Sequence, residues 1–215
     1  MPGLFPVIDY PGHGKGNHML KTLFAMLVMI IGSVMSAHAQ DHATGPNGLH
    51  LEPWLYESSL DMRKDLQAAA LAGKDMIVLV EQRGCHYCQA MHEVNFQNEQ
   101  IVKTITENYL VVQLDLRGSR VVTDFDGREL TEQDLLRKWR ASGTPTTIVL
   151  SAANPLPISL AQTEAFRLPG YLQPFQHHAT LDFFASRKFE EMSFKSYMAE
   201  RVAVLKTQGI DPDSW

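Results

Sequence analysis

Between residues 59 and 205 the spacing of apolar side chains switches repeatedly between a helical period and short unbroken runs. Ser59 as an N-cap, an apolar stripe of Leu60, Leu66, Ala69, Ala70 and Leu71, and a stop at Gly73 predict a first helix. Met76 to Val80 is an unbroken apolar run of strand length, which with Glu81 at its end predicts a buried strand over 76–81. A helical run then continues through Met91 and falters at Asn95-Phe96. Asn98 caps a further short helix carrying Ile101, Val102 and Ile105. Tyr109 to Leu116 is too apolar and β-branched for a loop and predicts a second strand. Arg117 to Leu130 is polar, and its Asp126-Gly127 turn signal predicts a small hairpin or loop.

The second half keeps alternating. Thr131-Glu132-Gln133-Asp134 opens a helix like a capping box, with Leu135, Leu136 and Trp139 on one side and Gly143 as its end. Pro145 to Leu150 is a third strand. A Pro-containing insertion, Ala152 to Gln162, leads to an antiparallel return strand over 164–168. A helix from Pro174 to Ser186 turns Leu181, Phe183 and Phe184 inward, and a last helix from Ser193 to Leu205 buries Phe194, Tyr197, Met198 and Val202. The class is α/β: a central mixed sheet flanked by helices, with an extra helix at the carboxy end.

Ahead of this pattern, Lys21, the apolar stretch Leu23 to Val34 and Ser36-Ala37-His38-Ala39 have the layout of a cleaved signal peptide. The stretch is short against the roughly 20 apolar residues a membrane span needs. Residues 1–39 are read as that signal, cleaved after Ala39, with 1–18 as an upstream extension and Met19 as the start. No cysteine stands at the cleavage site, which excludes a lipoprotein. Residues 40–53 read as a flexible lead-in, 54–207 as one domain and 208–215 as a tail. The formal net charge of −5 offers no basic footprint for nucleic acid. The expectation is an exported monomer, since nothing before residue 54 resembles a dimerisation segment.

The sequence has two cysteines, Cys85 and Cys88, directly after the first strand. A strand feeding C-x-x-C at a helix start is the thiol-redox layout. A domain of this length does not need such a pair for stability, and the tiny loop it closes restrains the unfolded chain little. A metal site is the other reading, with Cys85, Cys88 and either His86 or His92 as ligands to copper or zinc. Neither a second C-x-x-C nor a later H-x-x-x-H supports it. Gln89 after the second cysteine rules out haem attachment.

Cys85, at a helix N-terminus where free N–H groups and the helix dipole favour a thiolate, is the expected nucleophile. Cys88, one turn further in, resolves the mixed disulfide. His86 is a tuning candidate when protonated, and Glu81 a candidate proton carrier for Cys88. His92 and Glu93 read as surface residues and Trp139 as core, while His177-His178 lies far from the pair in sequence.

The segments Glu81-Gln82-Arg83-Gly84-Cys85-His86-Tyr87-Cys88, Val112-Gln113-Leu114-Asp115, Asp124-Phe125-Asp126-Gly127 with Leu130-Thr131, Thr144-Pro145-Thr146 and Leu168-Pro169-Gly170-Tyr171-Leu172 give a closer resemblance. Over residues 55–205 the chain resembles the SoxW-type periplasmic thioredoxins, relatives of the carboxy-terminal domain of the DsbD reductase. The resemblance implies a thioredoxin-like fold and a redox-active Cys85–Cys88 disulfide with no other cofactor. It also implies a cis Pro145 facing that pair, and substrate contacts from Thr144, His86 and Tyr87. The implied partners are periplasmic thiol and disulfide proteins, with a membrane electron donor. The implied role is that of a reductant, an oxidase or isomerase being the alternative on the same framework. Gly84, His86-Tyr87 and Leu79 depart from the best-known cytosolic thioredoxins, which carry Trp, Gly-Pro and a buried acid there. Redox potential and proton relay therefore do not carry over.

Overall fold

Alternate residues of the first strand feed two separate cores in the computed structural model, which describes residues 43–215. That strand, β1 (Asp75–Glu81), follows helix α1 (Met62–Leu71). Met76, Val78 and Val80 face Met62, Leu66 and Ala69 of α1 on one side. Ile77 and Leu79 face the other, among Met91, Phe96, Ile101 and Ile105. A strand covered on both faces reads as a continuous apolar run, which is why periodicity alone did not show a solvent face.

After β1 come α2 (His86–Glu93), a 3-10 turn at Asn95–Gln97, α3 (Glu99–Asn108) and β2 (Tyr109–Asp115). A hairpin of β3 (Val121–Thr123) and β4 (Glu129–Thr131) leads into α4 (Glu132–Lys138), followed by β5 (Thr146–Leu150), β6 (Glu164–Pro169), α5 (Pro174–Ala185) and α6 (Phe194–Thr207). The main sheet has the order β2-β1-β5-β6. β1 pairs parallel with β2 and antiparallel with β5, and β5 pairs antiparallel with β6. The chain thus has the mixed sheet and flanking helices its pattern predicts, with α6 as the added carboxy-terminal helix.

Several boundaries differ for physical reasons. The N-cap of α1 is Asp61, whose carboxylate accepts from the Arg63 and Lys64 amides. Ser59 instead donates its hydroxyl to buried Asp65, and Leu60 has a positive φ of 59° ahead of the helix. Leu71 is 90% exposed and contributes nothing to the α1 stripe. α4 ends at Trp139 with Arg140 in the left-handed region, so Gly143 is not its stop. Phe194 is exposed, while Tyr197 of the same helix is buried.

Both ends of the described chain are more structured than their sequence suggested. Within 43–53, Thr44 bridges His50 and Leu49 is buried. The His50 carbonyl accepts from Gln113 Nε2 at 2.8 Å, and the Tyr56 amide donates to the Val111 carbonyl at 2.8 Å. This strap covers β2, an edge strand whose free backbone groups otherwise invite pairing. Of the expected lead-in over 40–53, the described part, 43–53, is a packed segment. At the other end Trp215 stacks on His178, with ring centroids 5.0 Å apart. The signal-peptide expectation lies outside the described residues. Among the described residues no helix is long and apolar enough to cross a membrane.

Candidate functional site

The strand end at Glu81 and the helix start at His86 are joined by a short turn through Gly84, whose φ of +73° lies in the left-handed region. A bulky L-residue is strained there, a local reason for glycine before the first cysteine. The turn delivers Cys85 to the N-cap of α2, where its sulfur accepts from the Cys88 amide at 3.1 Å. Cys85 and Cys88 form a disulfide. Both cysteines are buried, but unequally: Cys85 keeps 8% exposure and Cys88 1%.

The segment before β5 closes over the pair. The Thr144 hydroxyl donates to Cys85 Sγ at 3.3 Å, and the Thr144–Pro145 peptide bond is cis. Pro145 is buried, and its carbonyl accepts from the Gly170 amide, which ties this segment to the end of β6. His86 and Tyr87 are exposed beside the disulfide. Tyr87 stacks on Tyr171 at 6.1 Å, so the Pro-Gly-Tyr segment contributes an aromatic ring that sequence reasoning did not list.

Beneath the disulfide the structure overturns one expectation. His92 is not a surface residue; it is fully buried. Its position, one helical turn after Cys88, puts both on the inward face of α2. Its Nδ1 lies 2.8 Å from Glu52 and its Nε2 3.1 Å from Glu81. Glu81 is also buried and accepts from Gln113 Nε2 at 2.5 Å. Burial alone pulls the His92 pKa down, but hydrogen bonds and charge from Glu52 and Glu81 outweigh it and lift the group to about 9. With both ring nitrogens engaged, His92 is not free to join the cysteines around a metal. Glu93, in contrast, is exposed as expected. The i,i+4 spacing from Cys88 was the available signal for His92; nothing in the sequence announced Glu52 as its partner.

A second buried histidine behaves oppositely. His177 Nδ1 accepts from Asn95 Nδ2 at 2.7 Å, and the same amide group donates to the Leu172 carbonyl. Burial, with the nearby His178, depresses His177 to about 4. The fold holds this imidazole neutral, so its stabilisation is complete above the ordinary histidine value of 6.5 and is lost as pH falls toward 4. The loss is on the order of 3 kcal/mol. His92 contributes with the opposite sign: complete below 6.5 and lost as pH rises through about 9. Urea midpoints measured across this range should fall on the acid side, and His177→Gln should flatten that limb. An acid limb identical in the variant would contradict the assignment.

Residues 62–185 match a family model described as a thioredoxin-like domain. Among solved structures, a thioredoxin-fold protein from Helicobacter pylori aligns with a TM-score of 0.52 and 17% identity, over 70% of this chain and 93% of that one. A thioredoxin from Thermus thermophilus aligns with a TM-score of 0.44 and 20% identity, over 56% of this chain and 81% of that one. The oxidised carboxy-terminal domain of DsbD from Neisseria meningitidis gives 0.40 and 12%, over 58% and 90%. Human spermatogenesis-associated protein 20 is 29% identical over 108 residues, covering 50% of this chain. The chain spans only 12% of that relative's length.

Proposed function

The chain belongs to the thioredoxin-like domain family, and from that premise we propose that it is an exported thiol:disulfide oxidoreductase working as a reductant through Cys85 and Cys88. Family membership and the disulfide together support thiol–disulfide exchange as the activity. The observation that carries the assignment of roles is the inequality of the two cysteines: Cys85 on the helix N-cap with the greater exposure, Cys88 inside the first turn and almost fully covered.

In the reduced protein the Cys85 thiolate attacks a substrate disulfide, forming a mixed disulfide and releasing the first substrate sulfur as a thiolate. Cys88 then gives up its proton, with Glu81 as the carrier, and its thiolate attacks Cys85 Sγ. The Cys85–Cys88 bond forms as the bond to substrate breaks. The substrate leaves having gained two electrons, and its two thiolates take protons from solvent. A dithiol donor returns two electrons to the Cys85–Cys88 disulfide, consistent with a membrane electron carrier. Thr144 offers backbone groups to an extended substrate segment beside Pro145, a mode that tolerates many substrate side chains. His86 and Tyr87 supply exposed side-chain contacts. Resemblance to the SoxW type supports a periplasmic location and a role in keeping partner-protein thiols reduced.

The test is reduction of insulin disulfides with dithiothreitol as the electron source. The protein should accelerate insulin precipitation well above the dithiothreitol background, and protein recovered outside the cytoplasm should begin near Gln40. No acceleration, together with oxidation of a reduced dithiol substrate, would overturn the direction proposed.

A further inference from the structure

The buried network around His92, on the same covered face of α2 as Cys88, holds one proton more than its neutral form allows. A neutral imidazole carries one N–H and can donate to only one of two carboxylates. Both ring nitrogens of His92 lie on carboxylate oxygens, Nδ1 on Glu52 and Nε2 on Glu81. The three groups together therefore hold one proton beyond a neutral histidine and two carboxylates. His92 and Glu81 are out of water, with side-chain exposures of 0% and 1%, and Glu52 at 8% closes the network toward its solvent edge.

The members come from different parts of the chain. Glu81 ends β1, His92 lies on α2, and Gln113 on β2 fixes Glu81 with an uncharged amide. Glu52 arrives on the strap over 43–56, the segment whose composition looked least organised. His50 of the same strap lies 4.9 Å from the His92 ring, and Phe96 packs edge-on at 5.0 Å with His177 behind it. Within α2, Cys88 is the titratable group one turn from His92 on the buried face. Asp115, paired in register with Glu81, directs its carboxylate to the Arg117 amide.

We propose that Glu52, His92 and Glu81 form a one-proton store coupled to Cys88, with Glu52 and His92 as positioning residues for Glu81 and the strap as a working part of the redox site. The proposal rests on the reductant assignment above for its place in the cycle. When the donor thiolate attacks Cys85 of the disulfide, Cys88 departs as a thiolate and takes up the stored proton. When Cys88 later attacks the mixed disulfide, its proton returns to the store. Each full cycle leaves the store as it began, and the electrons pass only through sulfur.

Coupling of this kind is reciprocal, so the store must sense the state of Cys88 as much as Cys88 senses the store. In the full chain, the imidazole titration of His92 followed by NMR should differ between the oxidised and reduced forms. The shift should be on the order of one pH unit, as expected for groups one helical turn apart in a buried site. In Glu52→Gln, which keeps an oxygen acceptor but removes the charge, His92 should lose its proton at lower pH. The pH profile of the Cys88 carbon-β shift should move with it. Titrations of His92 that are the same in both redox forms, or a Cys88 profile unmoved in a folded Glu52→Gln variant, would overturn the store. Coupled titrations in a protein that fails to reduce insulin would support the store and count against the reductant role alone.

Discussion

Cys85→Ser should abolish disulfide reduction, and Cys88→Ser should instead convert the protein into a trap for mixed disulfides. The asymmetry follows from the helix start. Cys85 occupies the N-cap of α2 and is the more exposed of the two cysteines, where the helix-start amides and the dipole stabilise a thiolate. Cys88 sits within the first turn, covered, in line to attack Cys85 but closed to a protein substrate. Without Cys85 no mixed disulfide forms, so turnover falls to background. Without Cys88 the mixed disulfide forms and cannot resolve, so covalent adducts accumulate and disappear under reducing electrophoresis. Turnover of small disulfides by Cys88→Ser at the wild-type rate, with Cys85 resisting alkylation, would reverse the roles.

His92→Leu should be the most destabilising single change near the site, by about 3–5 kcal/mol, the cost of leaving buried charges without their partner. The imidazolium is the shared partner of Glu52 and Glu81, whose side chains are 8% and 1% exposed. The pairing of His92→Leu with Glu81→Leu should recover part of the loss, because an apolar pair no longer strands a carboxylate. Urea unfolding at neutral pH reads both. A single variant within about 0.5 kcal/mol of wild type, the range of ordinary surface substitutions, would show that the network carries no such charge.

The fold was legible wherever a local signal and a buried face coincided. Asn98 and Thr131 cap their helices as their side-chain chemistry requires, and the Asp126-Gly127 turn closes the β3–β4 hairpin. The cysteine pair was legible for the same reason: a buried strand, a tight turn and a helix start follow one another within a few residues. What the sequence hid depends on distant partners. His92 carries no local mark of burial, since a histidine is polar and its enclosure is decided by Glu52, 40 residues earlier, and Glu81, 11 residues earlier. The strap over 43–53 lacks periodicity because it pairs with an edge strand through scattered backbone and side-chain bonds, not through a repeating apolar face. Trp215 escaped notice in the same way, since its ring packs on α5 from a stretch with no helical pattern. Leu71 shows the reverse error, an apolar side chain at helical spacing that faces solvent.

The exchange mechanism requires Cys85–Cys88 to be a working redox couple and not a structural staple. Equilibration of the protein in dithiol and glutathione buffers of graded potential, with the free thiols counted by mass after alkylation, measures this directly. One reversible two-electron transition is expected at a potential between roughly −270 and −120 mV, the span of catalytic dithiol proteins. A disulfide that stays closed below about −300 mV, as structural disulfides of secreted proteins do, would contradict it.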